Sequence, residues 1–261
     1  MATYSANVTM LWPEIDDPYD RFRAAAAAGF SRVERLFMHD LDASRVGQLL
    51  EELGLELVLF DPYPGRWDLG ERGLLALPGR EGELREAALV AIETAASLHT
   101  GCLNVLAGIL PEGVGQARAI ETAAANLTAL IPAARAAGVT LVVEAINAVD
   151  WPGYAISTLE VALAVVRAVD DVAVRLQFDA YHVARAGGDL LESVEAVFPV
   201  IRHVQVADVP GRHQPGTGTL PLLAFIERLD GLGYQGLVGL EYLPEGGTTE
   251  ALAWLPREVR G

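Results

Sequence analysis

The chain has 261 residues, of which 51% are hydrophobic, and this suits one sizeable α/β domain spanning residues 1–261. Its 35 acidic and 19 basic residues give a formal charge of −16, which repels nucleic-acid phosphates because no run of basic residues counters it. The chain has no lysine and a single cysteine, Cys102, which excludes lysine Schiff-base chemistry, pyridoxal phosphate enzymes, an intrachain disulfide and a cysteine-based metal cluster.

No apolar stretch reaches the roughly 18 residues that a membrane span needs. The first residues lack the basic start and the hydrophobic middle of a secretory signal peptide. We therefore expect a cytoplasmic protein that binds a small-molecule substrate and has neither a membrane nor a nucleic acid as partner. A homo-oligomer is compatible with the sequence, which does not specify the number of subunits.

Apolar, β-rich runs alternate with segments of helical period along the chain, the pattern of repeated βα units in a parallel sheet. Strands are predicted at residues 5–9, 32–37, 56–60, 102–107, 140–144, 173–179, 203–207 and 237–241. Helices are predicted at residues 20–28, 43–53, 83–98, 117–137, 159–169, 190–197 and 220–232, with Gly54 and Gly138 among the glycines expected to end them. Eight strands joined by short turns predict a closed (β/α)₈ TIM barrel, and no glycine-rich phosphate motif follows the first strand.

The longest irregular stretch, residues 61–80, follows the third predicted strand and contains Trp67 and three arginines. Loops of this length in a compact domain are usually functional lids or disordered segments. The aromatic and apolar content of this one favours a lid. We expect Trp67 to contact the substrate.

Polar residues stand at the ends of four successive predicted strands in the second half of the chain. They are Glu144, Asp179, Gln205 and Glu241. Singly, each also fits a solvated or capping group, but strand ends converge on one face of a barrel, where barrel enzymes have their active sites. Carboxylates gathered there would raise one another's pKa values unless a cation joined them. Oxygen ligands without histidine predict a hard divalent ion, Mg²⁺ or Mn²⁺, in preference to Zn²⁺.

Two nearby residues are candidates for substrate binding. His182 follows Asp179 by three residues, just beyond the strand end, and Arg212 lies in the turn-rich loop after the seventh strand. The planar guanidinium of an arginine matches the carboxylate of an anionic substrate. The alternatives are a packed histidine and a solvated turn arginine. His213 is expected to be structural, and His203, deeper on its strand, to belong to the core or to support the ligands.

Several segments carry a resemblance that runs nearly from end to end. They include SANVTMLW, RVERLF, LVLFDPYPG, NVLAG, VVEAIN, LQFDAYH, HVQVADVPGRHQPGTG and GLVGLEYLP. The chain resembles the hydroxypyruvate isomerase family of the xylose isomerase-like TIM barrel superfamily, which also contains ketose 3-epimerases. The resemblance implies metal ligation by Glu144, Asp179, Gln205 and Glu241, with Glu144 and Glu241 doubling as the catalytic acid–base pair.

The resemblance also implies that His182 and Arg212 contact the substrate and that Glu34, on the second strand, faces the same pocket. The chain departs from the family pattern around the pocket. It has Asp61 where asparagine is usual, Arg66 for aspartate, Val149 for arginine and Leu243 for lysine. These changes leave the proposed metal ligands in place and bear on the choice of substrate.

The activity that the resemblance implies is the isomerisation of hydroxypyruvate to tartronate semialdehyde. The cation would hold the carbonyl and hydroxyl oxygens, one glutamate would remove a carbon-bound proton, and a cis-enediolate would be reprotonated at the adjacent carbon. No organic cofactor is needed. The alternatives are a 2-oxo-tetronate isomerase or ketose 3-epimerase, a lyase of the inosose dehydratase type, and a barrel that binds metal and sugar without turnover. The acidic charge disfavours abasic-site DNA cleavage.

Overall fold

Eight parallel strands, taken in chain order, close into a barrel in the computed structural model, which describes residues 2–261. The strands are β1 (Thr3–Asn7), β2 (Arg32–Phe37), β3 (Glu56–Asp61), β4 (Cys102–Asn104), β5 (Thr140–Glu144), β6 (Val174–Asp179), β7 (Ile201–Val206) and β8 (Leu237–Leu240). The helices are α1 (Pro18–Ala27), α2 (Ala43–Leu53), α3 (Glu81–Ser97), α4 (Gln116–Ala137), α5 (Leu159–Val169), α6 (Ala180–Arg185), α7 (Leu190–Val197), α8 (Leu222–Gly231) and α9 (Thr248–Ala251). The predicted (β/α)₈ TIM barrel is confirmed.

Strands β1 and β4 end well before the predicted residues, whereas β7 and β8 each end a single residue early. Local hydrogen bonds explain the two larger differences. Strand β1 ends at Asn7 because the Asn7 side-chain oxygen accepts from the backbone N–H groups of Thr9 and Met10, which turns the chain. Strand β4 ends at Asn104, although residues 102–107 were predicted, because the following carbonyls of Leu106 and Ala107 accept from residues 74–76 instead of the sheet.

The helix ends follow the glycine signals, while two short helices were not predicted. Gly54 and Gly138 cap α2 and α4 in the left-handed conformation, with φ of 63° and 70°. Helix α6 has 6 residues and α9 has 4, too few to show a helical period. Helix α6 begins directly after β6 because the Asp179 side chain accepts from the N–H groups of Tyr181 and His182. One proposed metal ligand is therefore also a helix cap.

The interior of the barrel contains polar side chains at positions where barrels of this fold usually carry branched apolar residues. The buried polar residues of the strands include Ser5, Asn7, Glu34, Asn104, Gln177, His203 and Gln205. Gln205 on β7 donates to Glu34 on β2 at 2.6 Å, and because these strands are not neighbours, the hydrogen bond crosses the barrel interior. The apolar core lies mainly between the strands and the surrounding helices, where Phe178 of β6 stacks on Phe225 of α8.

The long segment after β3 is anchored at its second half. Its helical content is a 3₁₀ turn at Trp67–Leu69. Leu74, Leu75 and Ala76 are buried, and their backbone N–H groups donate to the carbonyls of Leu106 and Ala107. The lid function predicted for residues 61–80 stays a prediction.

Within the described residues, no helix combines the length and the apolarity needed to cross a membrane.

Candidate active site

A cavity of about 190 Å³ opens at the carboxyl end of the barrel strands. Its wall includes Phe37, Asp61, Trp67, Asn104, Glu144, Trp151, Gln177, His182, Gln205, Arg212 and Glu241. Six of the predicted site residues are on this wall, and two, Asp179 and Glu34, are not. Asp179 lies close by, since its carboxylate pairs with Arg212.

The register of the sheet explains why the predicted residues meet. Glu144 of β5 is the partner of Gln177 on β6, Asp179 is the partner of Gln205 on β7, and Gln205 is the partner of Gly239 on β8. The register therefore pairs Asp179 directly with Gln205. Glu144 is level with the residue two positions before Asp179, and Glu241 lies two positions beyond the partner of Gln205. The proposed ligands are 1–5% exposed, so their charges are removed from bulk water.

One cation of the protein lies among these carboxylates. The Arg212 Nη2 atom pairs with Glu241 Oε2 and lies 3.3 Å from Asp179 Oδ2. Arg212 has a φ of 57°, in the left-handed region that is uncommon for residues with side chains and often marks functional sites.

His182 lies beside the carboxylates of Glu144 and Asp179. Its Nε2 atom is 3.9 Å from Glu144 Oε1 and 3.7 Å from Asp179 Oδ2. One ligand atom from each of these residues lies within 4.8 Å of the others, an arrangement that could hold a metal ion. This group contains a histidine, whereas the sequence predicted an all-oxygen set with His182 as a substrate contact.

Gln205 and Glu34 form a hydrogen-bonded chain behind the cavity wall. The Gln205 amide oxygen accepts from Gln177 Nε2 at 2.6 Å, and its nitrogen donates to Glu34 Oε2 at 2.6 Å. Glu34 Oε1 accepts from the Ser5 hydroxyl at 2.5 Å and lies 3.2 Å from His203 Nε2. Glu34 is 0% exposed and has protein partners on both oxygens. A substrate contact for Glu34 stays a prediction.

The carboxylates have strongly perturbed protonation. Burial raises the pKa of Glu144 well above its ordinary value, and the charges of Glu241 and Asp179 raise it further. Burial also raises the pKa of Asp179 and that of Glu241, the latter to about 8, against the opposing charge of Arg212. Burial and the neighbouring Arg212 lower the pKa of His182 well below its ordinary value. Arg212 alone does not offset the mutual repulsion of three buried carboxylates, so a further cation would stabilise them.

The donor geometry fits such a cation. One oxygen of each carboxylate is held by an uncharged donor, and the other faces Arg212 or His182. The donors are Asn104 to Glu144 Oε2 (2.8 Å), the Tyr181 N–H to Asp179 Oδ1 (2.8 Å) and Asn7 to Glu241 Oε1 (3.2 Å). Buried, pre-oriented carboxylate oxygens are the ligands that hard divalent ions prefer.

The sequence did not point to several residues of the site. Asn104, at the end of β4, was missed because the sequence predicted this strand to continue to residue 107. Trp151 lies on a loop and gave no periodic signal, although its ring packs edge-on against Trp67 at 5.5 Å. Arg72 stacks over the Trp67 ring at 4.2 Å. Trp67 is thus held by ring contacts at the cavity wall.

The four residues that depart from the family pattern differ in their exposure and in their place relative to the cavity. The Arg66 side chain is 65% exposed, Val149 is 61% exposed and Leu243 is 47% exposed. Asp61 is 3% exposed and lines the cavity. Of these four residues, Asp61 alone is part of the cavity wall.

The fold and the position of the site are those of a TIM-barrel protein, and comparison with known proteins gives the family. The sequence profile of the xylose isomerase-like TIM barrel family matches residues 22–258, and the chain belongs to this family. It is 39% identical to the 2-oxo-tetronate isomerase of Cupriavidus necator, with 98% of each chain covered. It is 33% identical to the hydroxypyruvate isomerase of Escherichia coli, again with 98% of each covered. The prediction of an isomerase is confirmed.

The same architecture is present in solved structures. A Brucella melitensis protein described as an AP endonuclease of family 2 is 37% identical, with a TM-score of 0.94 over 97% of this chain and 98% of that one. The D-psicose 3-epimerase of Clostridium cellulolyticum has a TM-score of 0.77 at 17% identity, with 97% of this chain and 90% of that chain covered, a likeness of fold alone.

Proposed function

We propose that the protein isomerises short 2-oxo acids and converts hydroxypyruvate to tartronate semialdehyde. The observation that carries the proposal is the set of three buried carboxylates, Glu144, Asp179 and Glu241, gathered at one cavity. The isomerase names of relatives that align over nearly the whole chain support it.

Glu144, Asp179, Gln205 and Glu241 would hold the divalent ion, with Mg²⁺ or Mn²⁺ favoured by the predominance of carboxylate oxygens. Gln205 could serve through its amide oxygen, because Glu34 accepts from its nitrogen. A bound cation of this kind polarises a carbonyl oxygen as a Lewis acid.

The protein's own groups move the proton. One of the two glutamates, Glu144 or Glu241, takes a proton from C3 of hydroxypyruvate, and the electrons of that bond form a cis-enediolate across C2 and C3. The same or the facing glutamate returns a proton to C2, and the O3–H proton passes to O2, which leaves an aldehyde at C3 and a hydroxyl group at C2. Burial raises the pKa of Glu241 to about 8 in the metal-free protein, and a bound cation would lower it, which leaves the carboxylate free to act as the base near neutral pH.

A second candidate substrate is a 2-oxo-tetronate, which carries one more hydroxyl group. Among the described residues, Asp61 Oδ1, Asn104 Oδ1 and Gln177 Oε1 are buried acceptors without a hydrogen-bond partner, and all three residues line the cavity. Unpaired buried acceptors favour a ligand that brings hydroxyl donors. The 39% identity to a 2-oxo-tetronate isomerase supports the same candidate.

The test compares turnover of hydroxypyruvate, 2-oxo-tetronates and free ketoses by the Mg²⁺- or Mn²⁺-loaded protein, with deuterium uptake from D₂O as the readout of carbon–hydrogen exchange. We expect exchange and isomer formation with the 2-oxo acids. Epimerised ketoses or a dehydrated product would identify the epimerase or lyase alternative, and binding without exchange would identify a non-catalytic barrel.

Glu241→Gln provides the matched variant. It keeps the size of the side chain and removes the proton carrier, so we expect kcat to fall by about 10²- to 10⁴-fold while the fold is retained. The exposed Glu245→Gln is the control and should keep full activity. Full activity in Glu241→Gln would remove Glu241 from the mechanism.

A further inference from the structure

The side chain of Asn147, just beyond β5, is 0% exposed and makes three polar contacts. Its oxygen accepts from the Asp150 backbone N–H at 2.9 Å. Its nitrogen donates to Asp150 Oδ2 at 3.0 Å and lies 2.7 Å from His182 Nδ1. The Asn147 amide thus bridges the loop after β5 to the histidine of the site.

The orientation of this amide is fixed by two independent contacts with Asp150. A flipped amide would direct its oxygen at the Asp150 carboxylate and its NH₂ group at the Asp150 backbone N–H, and both contacts would be repulsive. The carboxylate is itself held in place, because Oδ2 accepts from the Tyr181 hydroxyl at 2.8 Å and Oδ1 from Arg185 at 3.0 Å. The group that faces His182 Nδ1 is therefore an N–H donor.

A ring nitrogen that accepts a hydrogen bond must carry a lone pair, so the proton of a neutral imidazole is on the other nitrogen. We infer that Asn147 is a positioning residue that fixes His182 as the Nε2–H tautomer, so that His182 donates a hydrogen bond into the cavity and does not ligate a metal. The Nε2–H group faces Glu144 and Asp179 at distances above those of direct hydrogen bonds.

This tautomer decides whether His182 ligates a metal or donates a hydrogen bond, a choice that the distances alone leave open. Glu144, Asp179 and His182 are close enough for a three-ligand metal site, but a protonated Nε2 has no lone pair for a cation. The metal set is then restricted to oxygen ligands. Under the proposed function, on which this step rests, the donor faces the substrate oxygen that gains negative charge during proton transfer.

The tautomer can be read directly from the ring ¹⁵N shifts and long-range ¹H–¹⁵N couplings of the folded, metal-free protein. The chain has five histidines, and the spectrum of His182→Gln assigns the signals of His182 by difference. We expect a protonated-type shift at Nε2 and an unprotonated shift at Nδ1. On addition of Mg²⁺ alone, the Nε2 proton should be retained. A protonated Nδ1, or loss of the Nε2 proton on metal binding, would overturn the inference.

An exchange of the two side chains gives a matched pair of variants. In Asn147→Asp/Asp150→Asn the net charge and the number of polar atoms are unchanged, but a carboxylate now faces His182 Nδ1 and should move the proton to that nitrogen. In Asp150→Asn alone, Asn147 still donates to His182, so the original tautomer should persist. Retention of the Nε2–H tautomer in the double variant would contradict the role of Asn147.

Kinetics and metal binding then distinguish a positioning role of Asn147 from a general loss of structure in the double variant. We expect the double variant to lose about 10²-fold in kcat with a much smaller change in KM, as for removal of a donor to a developing oxyanion. Its affinity for Zn²⁺ should rise, because Nε2 becomes a free ligand, while Asp150→Asn binds Zn²⁺ like the wild type. If the wild type and both variants show no turnover but have the predicted spectra, the proposed function is contradicted and the tautomer assignment is left intact.

Discussion

Asp61 brings a further carboxyl group to a cavity that already contains Glu144 and Glu241. Burial raises its pKa well above the ordinary value, and the charges of Glu144, Glu241 and Glu34 raise it further. Its Oδ1 atom lacks a hydrogen-bond partner among the described residues. Asp61 is thus an acid that the folded state holds in its protonated form over a wider pH range than the unfolded state does.

The substitution Asp61→Asn should stabilise the protein increasingly as the pH rises. A carboxyl group whose pKa is raised by folding contributes stability at low pH, and that contribution is lost as the pH rises from the unfolded towards the folded pKa, by about 1.4 kcal/mol per pH unit. Asparagine does not ionise, so the variant does not lose stability in this way as the pH rises. Urea unfolding at pH 5 and pH 8 measures the difference, with the exposed Asp68→Asn as control. An equal effect of Asp61→Asn at both pH values would contradict the prediction.

Metal binding at neutral pH should release protons. Burial raises the pKa of Glu241 to about 8, so this group holds a proton over much of the neutral range in the metal-free protein, and a divalent ion must displace it. Burial raises the pKa of Glu144 in the same direction. Titration calorimetry with Mn²⁺ in buffers of different ionisation enthalpy counts these protons. We expect release of about one proton or more per ion at pH 7 and less in Glu241→Gln. A binding enthalpy that is the same in all buffers would exclude this linkage.

At the scale of elements, strand β8 shows how the barrel makes room for its polar interior. A Cβ atom at Gly239 would lie 2.0 Å from Glu34 Oε1, inside the hydrogen-bonded group that holds Gln205. Gly239 is therefore required by the side chain opposite it, and not by its backbone conformation. The glycine on β8 and the glutamate on β2 form one packing unit.

Gly239→Ala should destabilise the protein by about 1–3 kcal/mol, the usual cost of overpacking a well-filled interior. It should also weaken Mn²⁺ binding, because a displaced Glu34 no longer orients the Gln205 amide. Denaturant unfolding and metal titration measure the two effects. Gly231→Ala, at the end of α8 with open space around the added atom, is the control and should be neutral or slightly stabilising. Equal stability of the two variants would mean that the Glu34 region is loosely packed.

The whole molecule carries a formal charge of −16, and this charge bears on the kind of partner it meets. One solved relative is described as an AP endonuclease, and DNA binding requires cationic groups along the phosphate backbone. Several arginines here already have partners within the protein, such as Arg35 with Asp40 and Arg80 with Glu71 and Glu83.

We therefore expect no binding or cleavage of duplex DNA that contains an abasic site. Fluorescence anisotropy at about 50 mM salt, where electrostatic binding is strong, should show no complex at micromolar protein. The same preparation should turn over its 2-oxo acid, which shows that the protein is active. A complex that weakens steeply with added salt would instead reveal a cationic surface that the overall charge conceals.

The sequence by itself determined the eight βα units and the oxygen-rich character of the site. Both are local: a strand or a helix shows its period over a few residues, and Glu144, Asp179 and Glu241 stand out because a charge follows an apolar run. The glycine caps Gly54 and Gly138 are likewise local, since a left-handed residue is required wherever such a helix ends.

Only the tertiary structure decided how these groups face one another. The hydrogen bond from Gln205 to Glu34 joins strands that are not neighbours, and the contact of Asn147 with His182 joins a loop to helix α6 across 35 residues of sequence, so neither leaves a pattern in the sequence. The early end of β4 has the same cause, because its carbonyls are taken by residues 74–76. Hydrogen-bond partners are chosen by closure of the barrel, which brings distant residues within 3 Å of each other.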